Sequence, residues 1–195
     1  MTKLLLFPDV DTSPSLTGTS NCSCMELIWE KGRLLSASDC DLSNLEFWCE
    51  TLPLGKMTDF AATDLGAPVV SEKLKKVLDD LGVQAQYFPA SIAEKRSAQP
   101  GQGYYVMNII GLVDCIDFAA SDLEVEEEDG EVVDIEEVGT MVLKEESFGD
   151  IYRMHMFERV IVLEGRIADN LQRLGVSGMK LIKPEKWDGI LSEKP

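Results

Sequence analysis

The stretch Val69–Val83, VVSEKLKKVLDDLGV, has an echo about ninety residues later in Val162–Val176, VLEGRIADNLQRLGV. The two align without gaps. Val69, Leu78, Leu81, Gly82 and Val83 match Val162, Leu171, Leu174, Gly175 and Val176 identically, and Leu74 faces Ile167. In the first copy Ser71 is a natural N-cap. Leu74, Val77, Leu78 and Leu81 follow the i, i+3, i+4, i+7 spacing of a buried helical stripe, and Gly82 supplies the stop. Each copy therefore reads as an extended lead-in, an amphipathic helix, a Leu-Gly-Val stop and a strand. Two copies are too few for a solenoid. They predict an α+β fold with two main helices against a mixed or antiparallel sheet, in a weak internal repeat. Shared helix-ending residues alone also produce such a match.

Working outward, VQAQYFPASI reads as a strand running into a turn, and YYVMNIIGLVDCIDF as buried strand, from its Val and Ile content and internal Gly111. MELIWEKGRLLS suggests two short strands around Lys31-Gly32, and GTMVLKEE another strand. SNLEFWCETLP leaves helix and strand open, and RMHMF suits a strand with His155 on either face. PDVDTSPSLTGTSNCS and EKRSAQPGQG are rich in loop formers. One domain over residues 1–195 is expected, with residues 1–65 the less certain part.

The stretch Glu124–Glu137, EVEEEDGEVVDIEE, packs carboxylates around Asp129-Gly130. An EF-hand register with Gly130 at position six puts Val125 at position one, where an oxygen ligand is required. Asp-Gly is instead a type I′ turn signal, and Val125, Val132, Val133 and Ile135 suit two strands with one wet face. An exposed acidic hairpin is favoured over a mobile tract. Its simplest role is a solvated edge kept soluble by repulsion. A recognition role assigns Glu124, Glu126, Glu127, Glu128, Asp129, Glu131 and Asp134 to a partner, with Asp39, Asp41 and Glu46 as a second acidic stretch.

The 195 residues include 18 Lys and Arg against 35 Asp and Glu, a net charge of −17. Such a chain repels phosphate backbones and anionic membranes, and a basic protein partner is favoured. No basic residue occurs between Arg96 and Lys144 or between Arg33 and Lys56. No apolar run reaches membrane length. Cys22, Cys24, Cys40, Cys49 and Cys115 form an odd, unpatterned set that reads as reduced thiols in a cytoplasm.

Motifs for catalysis are sparse. His155 is the only histidine, so a three-histidine zinc site is impossible, and Cys22-Ser-Cys24 has no second pair to complete a metal site. A Cys–His155 nucleophile pair, or Asp114 with Asp117 as acid and base, would make the chain an enzyme. The bland reading has His155 on the surface and the two aspartates bonding nearby backbone amides. No phosphate-binding loop, nucleophile elbow or dinucleotide fingerprint is present. No cofactor or metal is expected.

One ordered set of motifs is informative. APVVSEKLKKVLDDLG is followed by YFP, then GYYVMNIIGLVDCIDFAAS, then IYRM and RVIVLEGRIADNLQRLGVSGMKLI. The order resembles a bacterial immunity-protein family of polymorphic toxin systems, first defined on a myxobacterial protein. The positions that carry the resemblance are Ser71, Glu72, Leu74, Phe88, Pro89, Tyr105, Val106, Asn108, Asp114, Asp117, Ser121, Gly175 and Gly178. It spans residues 66–183. Leu163-Glu164-Gly165 departs from the family's second "VSE", which puts the N-cap of the second helix in question. The resemblance implies a non-enzymatic antitoxin. Such a protein binds a cognate toxin domain in the producer's cytoplasm, most simply over the active site, and a basic nuclease is the class that charge favours. A nucleic-acid mimic that inhibits a DNA- or RNA-binding protein is a further alternative.

Overall fold

The computed structural model describes residues 2–18, 26–39, 41–43, 45–49, 56–94 and 101–190. In chain order the first strands are β1 (Lys3–Pro8) and β2 (Ser15–Gly18), then a 3-10 helix (Glu26–Lys31). Strands β3 (Leu45–Cys49), β4 (Phe60–Thr63) and β5 (Val69–Ser71) lead into helix α1 (Glu72–Asp80). Next come β6 (Ala85–Glu94), β7 (Gly101–Ile109), β8 (Leu112–Val113), β9 (Asp122–Glu128) and β10 (Glu131–Thr140). The chain continues through β11 (Ile151–Met154), β12 (Phe157–Glu164), α2 (Gly165–Arg173) and β13 (Met179–Ile182) to a 3-10 turn (Pro184–Lys186).

The strands form a closed barrel in the order β2-β3-β6-β7-β5-β4, a five-stranded sheet β13-β1-β12-β11-β8, and a separate β9–β10 ribbon. The class is α+β, as the helix-and-strand pattern indicates, but the barrel is not foreseeable from it. Two parallel pairings, β2 with β4 and β3 with β6, close it. Three core clusters lie between these layers. One holds Leu16, Leu45, Phe47, Val69 and Val106 of the barrel strands, with Trp29. The second joins barrel residues Phe60, Val70 and Met107 to Leu74 and Leu78 of α1, Ile167 and Leu171 of α2, and Leu6, Ile161 and Leu163 of the sheet. The third gathers Leu5, Phe7, Val160 and Val162 on the sheet's other face with Val138 of the ribbon and Trp187. Leu5 and Leu6 thus serve different cores, as adjacent strand residues must.

The internal repeat is architectural. β5 and β6 both run antiparallel to β7, which lies between them. β12 and β13 both run antiparallel to β1, which lies between those two. Each copy is therefore a strand–helix–strand unit whose two strands enclose a third. The helix stops are also equivalent. Val83 N–H donates to Leu78 O and Gly82 N–H to Asp79 O; Val176 N–H donates to Leu171 O and Gly175 N–H to Gln172 O. Both are Schellman closures, and Gly82 (φ 78°) and Gly175 (φ 61°) hold the left-handed position.

The copies differ at their helix starts. Ser71 caps α1 by accepting from Leu74 N–H at 3.1 Å. Glu164 makes no side-chain cap, and Gly165 N–H donates instead to Thr2 O at 2.7 Å. Asp59, unremarkable in the sequence, joins the units. Its carboxylate accepts from the Ser71 hydroxyl at 2.8 Å, Ser177 N–H at 2.9 Å, the Ser177 hydroxyl at 3.0 Å and the Lys73 ammonium at 3.1 Å. Lys73 also donates to Gly175 O, so the start of α1 is clasped to the end of α2. Burial pushes the Asp59 carboxyl up, but the bonds from Ser177, Ser71 and Lys73 outweigh it and hold the group below the usual carboxylate range. At the joint between sheet and barrel, the buried Arg153 donates to Glu158 O and Gly66 O, and burial lowers its pKa to about 10.

Several local expectations are corrected. MELIWEKGRLLS does not form two strands: Glu26–Lys31 is a 3-10 helix that inserts the fully buried Trp29 into the barrel's core cluster. It ends at Gly32 (φ 62°), where a Cβ would strike Gly111 and Leu112 backbone. β6 continues to Glu94 without turning, and LEFWC is a strand. GTMVLKEE is not a strand, because Gly139 and Thr140 finish β10 and Leu143 makes only an isolated bridge to Ile116. His155 is not in a strand. It lies with Met156 (φ 74°) in the turn from β11 to β12. The polar loop is shorter than expected, since Glu94 ends β6 and Gly101 begins β7; residues 95–100 and Cys22, Cys24 and Cys40 lie outside the described residues.

Candidate functional site

The acidic segment folds as the β9–β10 ribbon. Asp129 (φ 53°) and Gly130 (φ 85°) both take positive φ, the requirement of a type I′ turn. The strands are unequal. β9 keeps the ordinary two-residue alternation, with Leu123 and Val125 half-buried and Glu124, Glu126 and Glu128 exposed. β10 follows a three-residue period, because register shifts fall between Val132 and Asp134, Ile135 and Glu137, and Val138 and Thr140. Each shift adds a residue, so ten residues of β10 pair with seven of β9. Val132, Ile135 and Val138 consequently share the inner face despite their odd spacing. Leu123, Ile135 and Val138 pack on the third core cluster with Trp187.

The same arithmetic organises the outer face. Glu124 lies directly opposite Glu137, Glu126 opposite Asp134, and Glu128 opposite Glu131. All six are exposed. They form two rows, with a step of about 7 Å along β9. None enters an ion pair among the described residues. Glu127 and Asp129 extend the charge to the tip.

The base of the ribbon is held by Asp114, Asp117 and Ser121, three of the positions that carry the family resemblance, in the structural role of the bland reading. Asp117 Oδ1 accepts from Ala120 N–H at 3.1 Å, and Asp117 N–H donates to Val142 O at 2.9 Å. The Ser121 hydroxyl donates to Asp117 O at 2.6 Å and accepts from Val142 N–H at 2.9 Å. Asp114 instead pairs with Lys144 at 3.0 Å, and Lys144 N–H donates to Cys115 O. Asp114 and Asp117 are thus engaged separately, in a neck that ties residues 114–121 to 142–144.

The other chosen residues lie apart from the ribbon. Asp39 accepts from Arg33 at 2.5 Å and from Ser36, and these bonds hold its carboxyl at about 2. Asp41 closes a turn by accepting from Ser43 N–H, and Glu46 is half-buried on β3. Asn108, fully buried, donates to Arg33 O and to Gln86 Oε1, while Gln86 bonds both backbone groups of Leu35. This amide pair fastens the 33–35 segment to the barrel. Tyr105 donates to Glu72 at the start of α1. Gly178 (φ 84°) runs so close to Phe60 O and Thr58 that a Cβ would collide with both. His155 is exposed, whereas Cys115 is buried and its thiol is pushed up to about 11, unsuited to a thiolate nucleophile. Among the described residues no group of three or more His, Cys, Asp and Glu forms a metal-binding cluster. No helix is long and apolar enough to cross a membrane among them.

Sequence reasoning missed the neck's Val142 and Lys144, the Asp59 clasp and the bulges. Only the last left a signal, the three-residue spacing of Val132, Ile135 and Val138. Comparison with known proteins adds one finding: residues 43–186, about three quarters of the chain, match the family model described as Immunity protein family (Imm11). The match begins before the motif order that starts at Gly66 and covers β3 to the last 3-10 turn. No curated protein matches the chain.

Proposed function

This chain belongs to the Imm11 immunity protein family, and from that premise we propose that it neutralises a cognate secreted toxin domain by direct contact through the outer face of the β9–β10 ribbon. The observation that supports this reading is the ladder of opposed carboxylates, Glu124/Glu137, Glu126/Asp134 and Glu128/Glu131. Like charges set directly across a ladder destabilise it. No basic residue of the 97–143 segment offsets them, so a cationic partner relieves a repulsion that the free chain carries. A nuclease domain fits, because a groove that binds phosphate is positive and attracts this ribbon over the distance of the field. Seated there, the ribbon occludes the active site. The core shared by barrel, helices and sheet supports the reading of 1–195 as a single domain. The thiol of Cys115, buried and free, suits the producer's cytoplasm.

The test replaces Glu126, Glu127 and Glu128 with Gln and Asp129 with Asn, and measures association with the toxin domain encoded beside this gene. Association should slow at low salt, and the difference should fade as screening shortens to about 10 Å at 0.1 M. Protection in co-expression should weaken. Wild-type association at low salt with full protection would refute the assignment and turn attention to Asp39, Asp41 and Glu46.

A further inference from the structure

The two edges of the acidic ribbon are not equivalent. β9 and β10 pair only with each other among the described strands, so each has an outer edge. β10's edge is interrupted by three bulges, and β10 packs against the Pro184–Lys186 turn. Bulges misalign the N–H and C=O groups that a new strand needs, which is how natural edges avoid further pairing. β9 is extended and even over seven residues, from Asp122 to Glu128. One edge of the ribbon is closed to pairing and the other is a straight template.

We propose that β9 is a docking edge that accepts an extended basic segment of the toxin partner as a third strand. This rests on the toxin-binding reading above and adds how the partner is held. The chemistry of the segment follows from the faces of β9. Residues of an added strand on the outer side lie beside Glu124, Glu126 and Glu128 and are Lys or Arg. Residues on the inner side lie beside Leu123 and Val125 and are apolar. The occupant is therefore a strand that alternates basic and apolar residues over about two to three repeats, a length set by β9. Backbone pairing supplies affinity and the alternation supplies selectivity, as in other strand-addition complexes. The carboxylate rows flank the new strand on one side only, which fixes which of its faces points outward.

The probe is an acetylated, amidated peptide of alternating Lys and Val, about the length of β9. Two controls carry the same charge: one with shuffled order, one with backbone N-methyl groups on alternate residues. Amide exchange and binding are measured on the full chain. The expected result is slowed exchange at β9 amides and not at β10, with about tenfold or greater weakening by N-methylation, which removes several hydrogen bonds. Equal binding by all three peptides without β9 protection would overturn the edge and leave an acidic face that acts by charge alone. Absence of any binding would overturn it as well. The toxin-binding reading is judged separately by toxin association and co-expression protection. Protection that persists when β9 protection fails removes only the docking edge.

Discussion

Replacing Asp59 with Asn tests whether the two strand–helix–strand units are clasped by a charged group. Three of its four donors, Ser177 N–H, the Ser177 hydroxyl and Lys73, meet Oδ2, and Ser71 meets Oδ1. An asparagine can keep its oxygen toward the three donors and turn its NH₂ toward the Ser71 oxygen. Shape and most bonds then survive, and only the charge is lost. Hydrogen bonds to charged groups exceed neutral ones by about 1 kcal/mol each, and the effects of neighbours are not additive. The side chain is 14% exposed, so water recovers part of the loss. The expected cost is about 1–2 kcal/mol at neutral pH, or roughly 2–8 °C in Tm for a chain of this size. The pH profile carries the sign. Because the folded carboxyl sits below its ordinary value, its stabilisation is full above the unfolded pKa of about 3.9 and is lost as pH falls through the lower folded pKa. Urea titrations of both proteins at pH 7, 5, 4 and 3 should therefore show a constant gap at the higher values that narrows below about pH 4. A gap under about 0.3 kcal/mol at pH 7, or one that widens in acid, would refute the charged clasp.

Leu78→Ala and Leu171→Ala, at 1% and 2% exposure in the shared core, should each cost about 2–5 kcal/mol in denaturant titrations; under about 0.5 at both would contradict the shared helix core. Gly82→Ala and Gly178→Ala separate backbone strain from collision. Both sit at positive φ, but only Gly178 has Phe60 O and Thr58 in the way, so Gly82→Ala should cost about 1–2 kcal/mol and Gly178→Ala distinctly more, with equal losses arguing against that close approach. Thiol titration of unfolded, unreduced protein should find nearly all five cysteines reactive, and native Cys115 should alkylate far more slowly than a free thiol at pH 8; several native disulfides, or fast labelling at Cys115, would contradict these readings.

Sequence by itself determined the features whose causes lie within a few residues. Ser71 as a cap, the Leu-Gly-Val stops and the Asp-Gly turn each satisfy their own backbone groups locally, so the signal and the structure occupy the same residues. The motif order from Ser71 to Gly178 also identified the family, while the barrel that carries half of those motifs stayed hidden. Closing that barrel joins Leu16 to Thr63 and Leu45 to Ala90, pairings that no local pattern encodes. His155 and Leu143 show the limit at short range. Apolar and β-branched neighbours favoured strand, but His155 falls in a two-residue turn and Leu143 makes only an isolated bridge to Ile116, so neither belongs to a continuous ladder. The Asp59 clasp spans 118 positions to Ser177. Asp114, Asp117 and Ser121 were visible as residues but not as a neck, because their partners Val142 and Lys144 arrive only after the ribbon has returned. Hydrophobic faces find one another through packing, which is non-directional and independent of sequence separation, so tertiary structure alone decides which distant polar groups end up within hydrogen-bonding reach.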